Sequence, residues 1–281
     1  MQPTASPAPS SRTVYTYDHW ISSFGVPIHR GFFVPDLRTL ELGRWRERDC
    51  DTAFIQLTGQ EGVSEARVTE IAAGRSLTPP RQAFDELVYV VQGQGLTSVW
   101  LNDKAAPRTF EWQPRSMFIL PRNCRHQLSN ARGDQPVRLL HYNYLPLAMS
   151  VIQDPDVLFN NAQGNVPQAF ASDAEFYSVA RTQRHDEGSQ YWDRGQSFWS
   201  GNFFPDMHAW DKLDFNRRRG AGGSSILIQF PGSEMSCHMS VFPARTYKKA
   251  HRHGPGRVIV IPGGEGYSVM WEEGKEKVIV P

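Results

Sequence analysis

A chain of 281 residues, 40% apolar, 21% charged and 12% aromatic, has the mix of a folded globular protein rather than a disordered tail. Thirty Lys and Arg against 29 Asp and Glu leave +1, which excludes a bulk pull toward nucleic acid or an anionic membrane. Cys50, Cys124 and Cys237 form neither a zinc pattern nor a disulfide framework, so a reducing, cytoplasmic compartment is expected.

Residues 1–12, rich in Pro, Ser and Ala, read as a disordered arm with no signal-peptide core. No apolar run reaches the ~18 residues of a spanning helix. Strand signals then dominate: Phe54 to Leu57, Ala66 to Ile71, Glu86 to Val91, Leu96 to Leu101, Ser116 to Leu120 and Val137 to Tyr142. Such short runs, punctuated by Gly, Pro and Asn with little helical patterning, predict an all-β sandwich or barrel. Residues 147–200, rich in Asn, Gln, Asp and aromatics, read as a connector that packs against the barrels.

The chain repeats itself. Phe33-Val34-Pro35-Asp36 returns as Phe203-Phe204-Pro205-Asp206, Ile55-Gln56-Leu57 as Ile228-Gln229-Phe230, and Gly93-Gln94-Gly95 with Trp100 as Gly264-Glu265-Gly266 with Trp271. Separated matches in one order at a near-constant offset of about 170 residues imply a duplicated β domain, one copy at 13–146 and a second at 201–281. After Trp100 the first copy runs on to Tyr142, whereas the second ends soon after Trp271. The expectation is an incomplete second barrel, its last strand Val278 to Val280, with an open edge that favours a homo-oligomer.

His251-Arg252-His253 is the sharpest chemical feature, because residues i and i+2 of a strand face one side and can converge on a metal. The alternatives are a solvated basic loop with Lys248, Lys249 and Arg257, or an anion patch. Gly74, Pro80, Gln82, Glu86 and Gly93, then Arg115, Pro121, Asn123, His126 and Asn130, stand at the spacing of a two-part motif. In the second copy Arg245, His251, His253, Arg257 and Gly264 stand at its first part. This pattern resembles the cupin superfamily, Gly-x5-His-x-His-x3-Glu-x6-Gly followed by Gly-x5-Pro-x-Gly-x2-His-x3-Asn, and the tandem arrangement resembles a bicupin.

The resemblance implies two tandem jelly-roll domains, the C-terminal one incomplete, and a divalent transition metal such as Mn, Fe, Zn or Ni, weakly held or absent. Its ligands would be Gln82, Glu86 and His126 in the first barrel, where Pro80 offers no donor and Gln82 a weak one. In the second they would be His251 and His253, with Arg257 at the carboxylate position as a clamp on substrate. Glu86 is expected to pair with His126, since an unpaired buried carboxylate is costly. Asp85 and Glu86, as strand neighbours, face opposite ways and share no acid/base role. His19, His29, His141, His185, His208 and His238 lack ligand spacing, and Arg217 to Arg219 reads as a solvated turn. The functional expectation is descent from a metal-dependent dioxygenase or isomerase acting on a small molecule, with degenerate metal sites. The alternative is a non-catalytic cupin that binds a small-molecule ligand or acts as a scaffold.

Overall fold

The computed structural model describes residues 16–281 except 153, 162, 185–196, 209–213, 216–221 and 253. The arm at 1–12, the arginine run 217–219, His185 and His253 therefore lie outside the described residues. Helix α1 (Thr16–Ser22) precedes β1 (Ile28–Gly31), β2 (Gly43–Trp45), β3 (Cys50–Leu57), β4 (Glu65–Ile71), β5 (Ser76–Leu77) and β6 (Glu86–Gln92). Next come β7 (Gly95–Trp100), β8 (Arg108–Trp112), β9 (Met117–Leu120), β10 (Arg125–Asn130) and β11 (Val137–Asn143). They form one sheet in the order β1-β3-β4-β11-β6-β9, with β2 on β3, and a second in the order β5-β10-β7-β8. Each run expected from the sequence falls on a strand, and the order is that of a jelly roll.

Alternation along the strands builds two apolar layers. Phe54, Val88, Val90, Val99, Phe118, Leu128 and Leu139 fill the core cluster of the barrel. Ala53, Ile55, Ala66, Val68 and Leu140 form a separate cluster on the opposite face of the larger sheet, joined by Leu40. Period two thus sends Phe54 one way and its neighbours the other.

The described residues that follow β11 pack on the first barrel. Helices α2 (Leu145–Val151), α3 (Pro155–Leu158) and α4 (Gln168–Ser172) are short. Asp154 caps α3 by accepting from the Asp156 amide at 2.9 Å. Phe159 stacks on Trp20 with ring centroids 5.7 Å apart, and Tyr177 packs on Phe110 at 4.3 Å.

Beyond it lie β12 (Arg181–Arg184), β13 (Ser197–Ser200), β14 (Phe203–Phe204), β15 (Asp214–Phe215), β16 (Ser224–Gln229), β17 (Ser236–Val241), β18 (Ser268–Met270) and β19 (Val278–Val280). β14 joins the first barrel by pairing with β9, secured by two hydrogen bonds from Arg115 to Asp206 at 2.9 and 3.0 Å. Strands β13 and β15 to β19 reproduce the register of the first unit. Arg30 opposes Gln56 in parallel, as Ser200 opposes Gln229. Gly43 opposes Thr52 and Ala53 opposes Val68, as Asp214 opposes Ser225 and Ile226 opposes Met239. The β7–β8 pair Ser98–Thr109 returns in β18–β19 as Val269–Ile279. The expected final strand Val278–Val280 forms, in a two-stranded ribbon.

The counterpart of β6 forms no strand. The segment from Gly256 to Val260 lies instead against the first barrel: the Gly256 amide donates to the Gly59 carbonyl at 2.8 Å, and Val258 and Val260 pack on the outer apolar cluster.

Candidate functional site in the first barrel

The site is built by period two on β4, β6 and β11. Glu65 opposes Asn143 and Arg67 opposes His141 across the β4–β11 pair, and the β11–β6 register brings Glu86 beside Asn143. All five side chains are buried, none more than 3% exposed. Arg67 bonds Glu65 through Nη1 and reaches Glu86 Oε1 through Nη2 at 3.0 Å. Asn143 Nδ2 donates to Glu65 at 3.0 Å and to Glu86 at 2.9 Å, and the Tyr17 hydroxyl donates to Glu65 at 3.0 Å. His141 Nδ1 meets Glu86 Oε1 at 2.8 Å.

Electrostatics fix the protonation states. Burial pushes Glu86 up, but Arg67 and then His141 outweigh it and hold the carboxyl well below the usual range. Burial and Arg67 push His141 down against the pull of Glu86. A neutral His141 donates its Nδ1 proton to Glu86, which leaves Nε2 a bare lone pair without a partner among the described residues. Burial likewise takes His126 down to about 4. Its Nδ1 lies 3.4 Å from the Cys124 carbonyl, and its Nε2 has no partner among the described residues.

The expected Glu86–His126 pair is replaced. Glu86 is saturated by Arg67, His141 and Asn143, which leaves His126 without the carboxylate. Gln82 is buried on an isolated bridge to Phe159, its main-chain carbonyl accepting from the Asn123 main-chain amide at 2.6 Å. Pro80 lines an aromatic cleft. Asp85 faces away from Glu86, toward Arg122 at 3.3 Å and Ser233 at 2.7 Å. In the second unit His251 and Arg257 are exposed on a segment that forms no strand, and His253 lies outside the described residues.

This donor set does not fit a divalent metal. The carboxylate that would ligate it already holds a guanidinium, and Pro80 brings no donor. Among the described residues no three His, Cys, Asp or Glu converge as a metal-binding group. Burial pushes the Cys50 thiol up to about 11 and Cys124 and Cys237 up to about 12, so none is an activated nucleophile. Sequence reasoning missed Glu65, Arg67, His141, Asn143 and Tyr17. The available signal was polar residues two apart inside apolar strands, Glu65-x-Arg67 and His141-x-Asn143.

No family model matches the chain, and no curated protein matches it. Among solved structures it is similar to the Cnp3 cupin domain of Schizosaccharomyces pombe, at 23% identity over 42% of this chain and 80% of that one, TM-score 0.32. It is also similar to the oxalate decarboxylase formate complex of Lactobacillus farciminis, at 19% identity over 40% and 34%, TM-score 0.31. Tomato vicilin matches at 14% identity, TM-score 0.30, over 34% of this chain and 28% of that chain's length. The fold is carried by the chain's own backbone. All four glycine positions of the motif in the first copy and both of those in the first part of the second have a left-handed φ: Gly74 +65°, Gly93 +87° and Gly264 +93°, and also Arg115 +71°, Asn123 +59° and Arg245 +59°, where the side chain makes that conformation unfavourable. With this motif register on a jelly-roll strand order, and the same register begun again about 170 residues on, the chain is a cupin-fold protein of bicupin layout.

Proposed function

We propose that the chain is a non-catalytic cupin whose first barrel has exchanged metal chemistry for a buried ion-pair network and that it binds a small organic molecule. The supporting observation is Arg67, whose guanidinium lies between Glu65 and Glu86 where a metal site would need a free carboxylate. A buried guanidinium that satisfies two carboxylates supplies the compensating charge itself. The reading as a metal-dependent dioxygenase or isomerase is disfavoured by that contact and by Pro80 and Gln82 at the histidine positions. The second unit retains His251, and Arg257 stands where its carboxylate ligand would be. The small net charge supports neither a nucleic-acid nor a membrane partner, and the placement of the three thiols supports a reducing, cytoplasmic setting.

Elemental analysis of dialysed protein tests this reading, with Glu86→Gln and the double variant His251→Ala/His253→Ala alongside. Substoichiometric Mn, Fe, Ni and Zn in all three is expected. One equivalent of metal that survives dialysis and disappears in either variant would overturn it.

A further inference from the structure

A cleft of ≈190 Å³ opens between α1, the turn after β2 and the connector, walled by Trp20, Phe24, Trp45, Arg48, Pro80 and Phe159. Its rings already hold one another: Phe24 lies 4.8 Å from Trp20 and 4.7 Å from Trp45. An apolar cavity of about 150 Å³ accepts benzene, so the space suits one ring with a small substituent.

The polar groups at this cleft are mismatched in one direction. Arg48 is half-buried with its guanidinium 4.3 Å over the Trp45 ring, and among the described residues no carboxylate is hydrogen-bonded to it. Glu65 and Glu86 are near enough for their charge to act on Arg48, but their oxygens are occupied by Tyr17, Arg67, Asn143 and His141. Glu47, also at the cleft, is exposed. A guanidinium without a bonded carboxylate among aromatic walls calls for an acceptor carried on an apolar body, and a planar carboxylate matches the guanidinium fork.

We propose that this cleft binds a small ring-bearing monocarboxylate, its ring against Trp20, Phe24 and Phe159 and its carboxylate on Arg48. The proposal rests on the ligand-binding reading above and names the ligand class, without depending on whether metal is bound elsewhere. Benzoate is the probe, with benzamide as the neutral isostere and benzylamine as the cation, titrated calorimetrically into EDTA-treated full-length protein. A ligand of this size is expected to bind with Kd on the order of 1 mM. Benzamide and the Arg48→Gln variant should each weaken binding about tenfold or more, the loss expected of a charge-assisted bond. Arg48→Lys keeps the charge and should retain part of the affinity, and unchanged thermal melting of both variants shows that they fold. Absence of benzoate binding to folded protein, equal affinity for benzamide or benzylamine, or unchanged affinity in Arg48→Gln would each overturn the proposal. Elemental analysis of the same samples reports on the metal reading separately.

Discussion

Arg67, 3% exposed, is the residue on which the barrel interior balances. Without it Glu65 and Glu86 would be buried with only neutral donors, and removing one partner of a buried ion pair costs about 3–5 kcal/mol. Arg67→Met is therefore expected to lose that much stability in urea titrations, and Arg67→Met/Glu86→Gln to recover part of it. Simple additivity in this double-mutant cycle would contradict the network. The histidines set the pH response. His126 has a folded pKa of about 4 against an ordinary 6.5, so the unfolded chain takes up its proton first. Stability is full above about pH 6.5 and is lost as pH falls toward 4, by roughly 3 kcal/mol for that depression. His141 is depressed too and adds to the loss, while Glu86, held below its usual range, extends it to lower pH. Denaturation midpoints from pH 8 to pH 4 should show a slope that flattens in His126→Gln; an unchanged slope would contradict the assignment.

At the scale of strands, the turn that carries the chain from β6 in one sheet to β7 in the other depends on close approach. A Cβ on Gly95 would collide with the Ser129 carbonyl and the Trp112 ring, and one on Gly93 with Val137, where φ is +87° as well. Gly95→Ala is expected to cost about 1–3 kcal/mol through overpacking. Gly133→Ala, where a Cβ meets only open space, should be neutral or slightly stabilising. Thermal melts of the pair check this; equal melting temperatures would mean that the start of β7 tolerates a shift of β10.

The whole molecule is asymmetric: the first barrel has a filled interior, and the second unit leaves apolar side chains in water. Val258 and Val260 turn toward the first barrel, whereas Ile259, Ile261 and Tyr267 are each more than 70% exposed and Ile279 is 67% exposed. Among the described residues no helix is long and apolar enough to cross a membrane. Exposed apolar patches beside a two-stranded ribbon promote association between chains. Sedimentation velocity is expected to show concentration-dependent self-association that Ile259→Ser/Ile261→Ser weakens. A monomer at all concentrations would contradict it.

The strands, the duplication and the motif register were legible in the sequence, because alternation, turn residues and left-handed positions are properties of a few adjacent residues. The same local logic separated Asp85 from Glu86. The partners of Glu86 were not legible. Arg67 and His141 sit on strands whose apolar residues mark them as β, but spacing alone does not say which face turns inward, and Tyr17 reaches Glu65 from 48 residues away. The motif kept Glu86 and His126 at ligand spacing, yet only the packed barrel decides whether a buried carboxylate meets a metal, an imidazole or a guanidinium. The second unit divides in the same way: its strand registers follow from the repeated sequence, whereas the course of residues 256–260 depends on distant partners. There the Gly256 amide finds the Gly59 carbonyl and two valines find an apolar face on the first barrel, contacts made by residues nearly 200 positions apart. Local propensity is encoded by neighbours in the chain; desolvation and charge pairing are decided by neighbours in space.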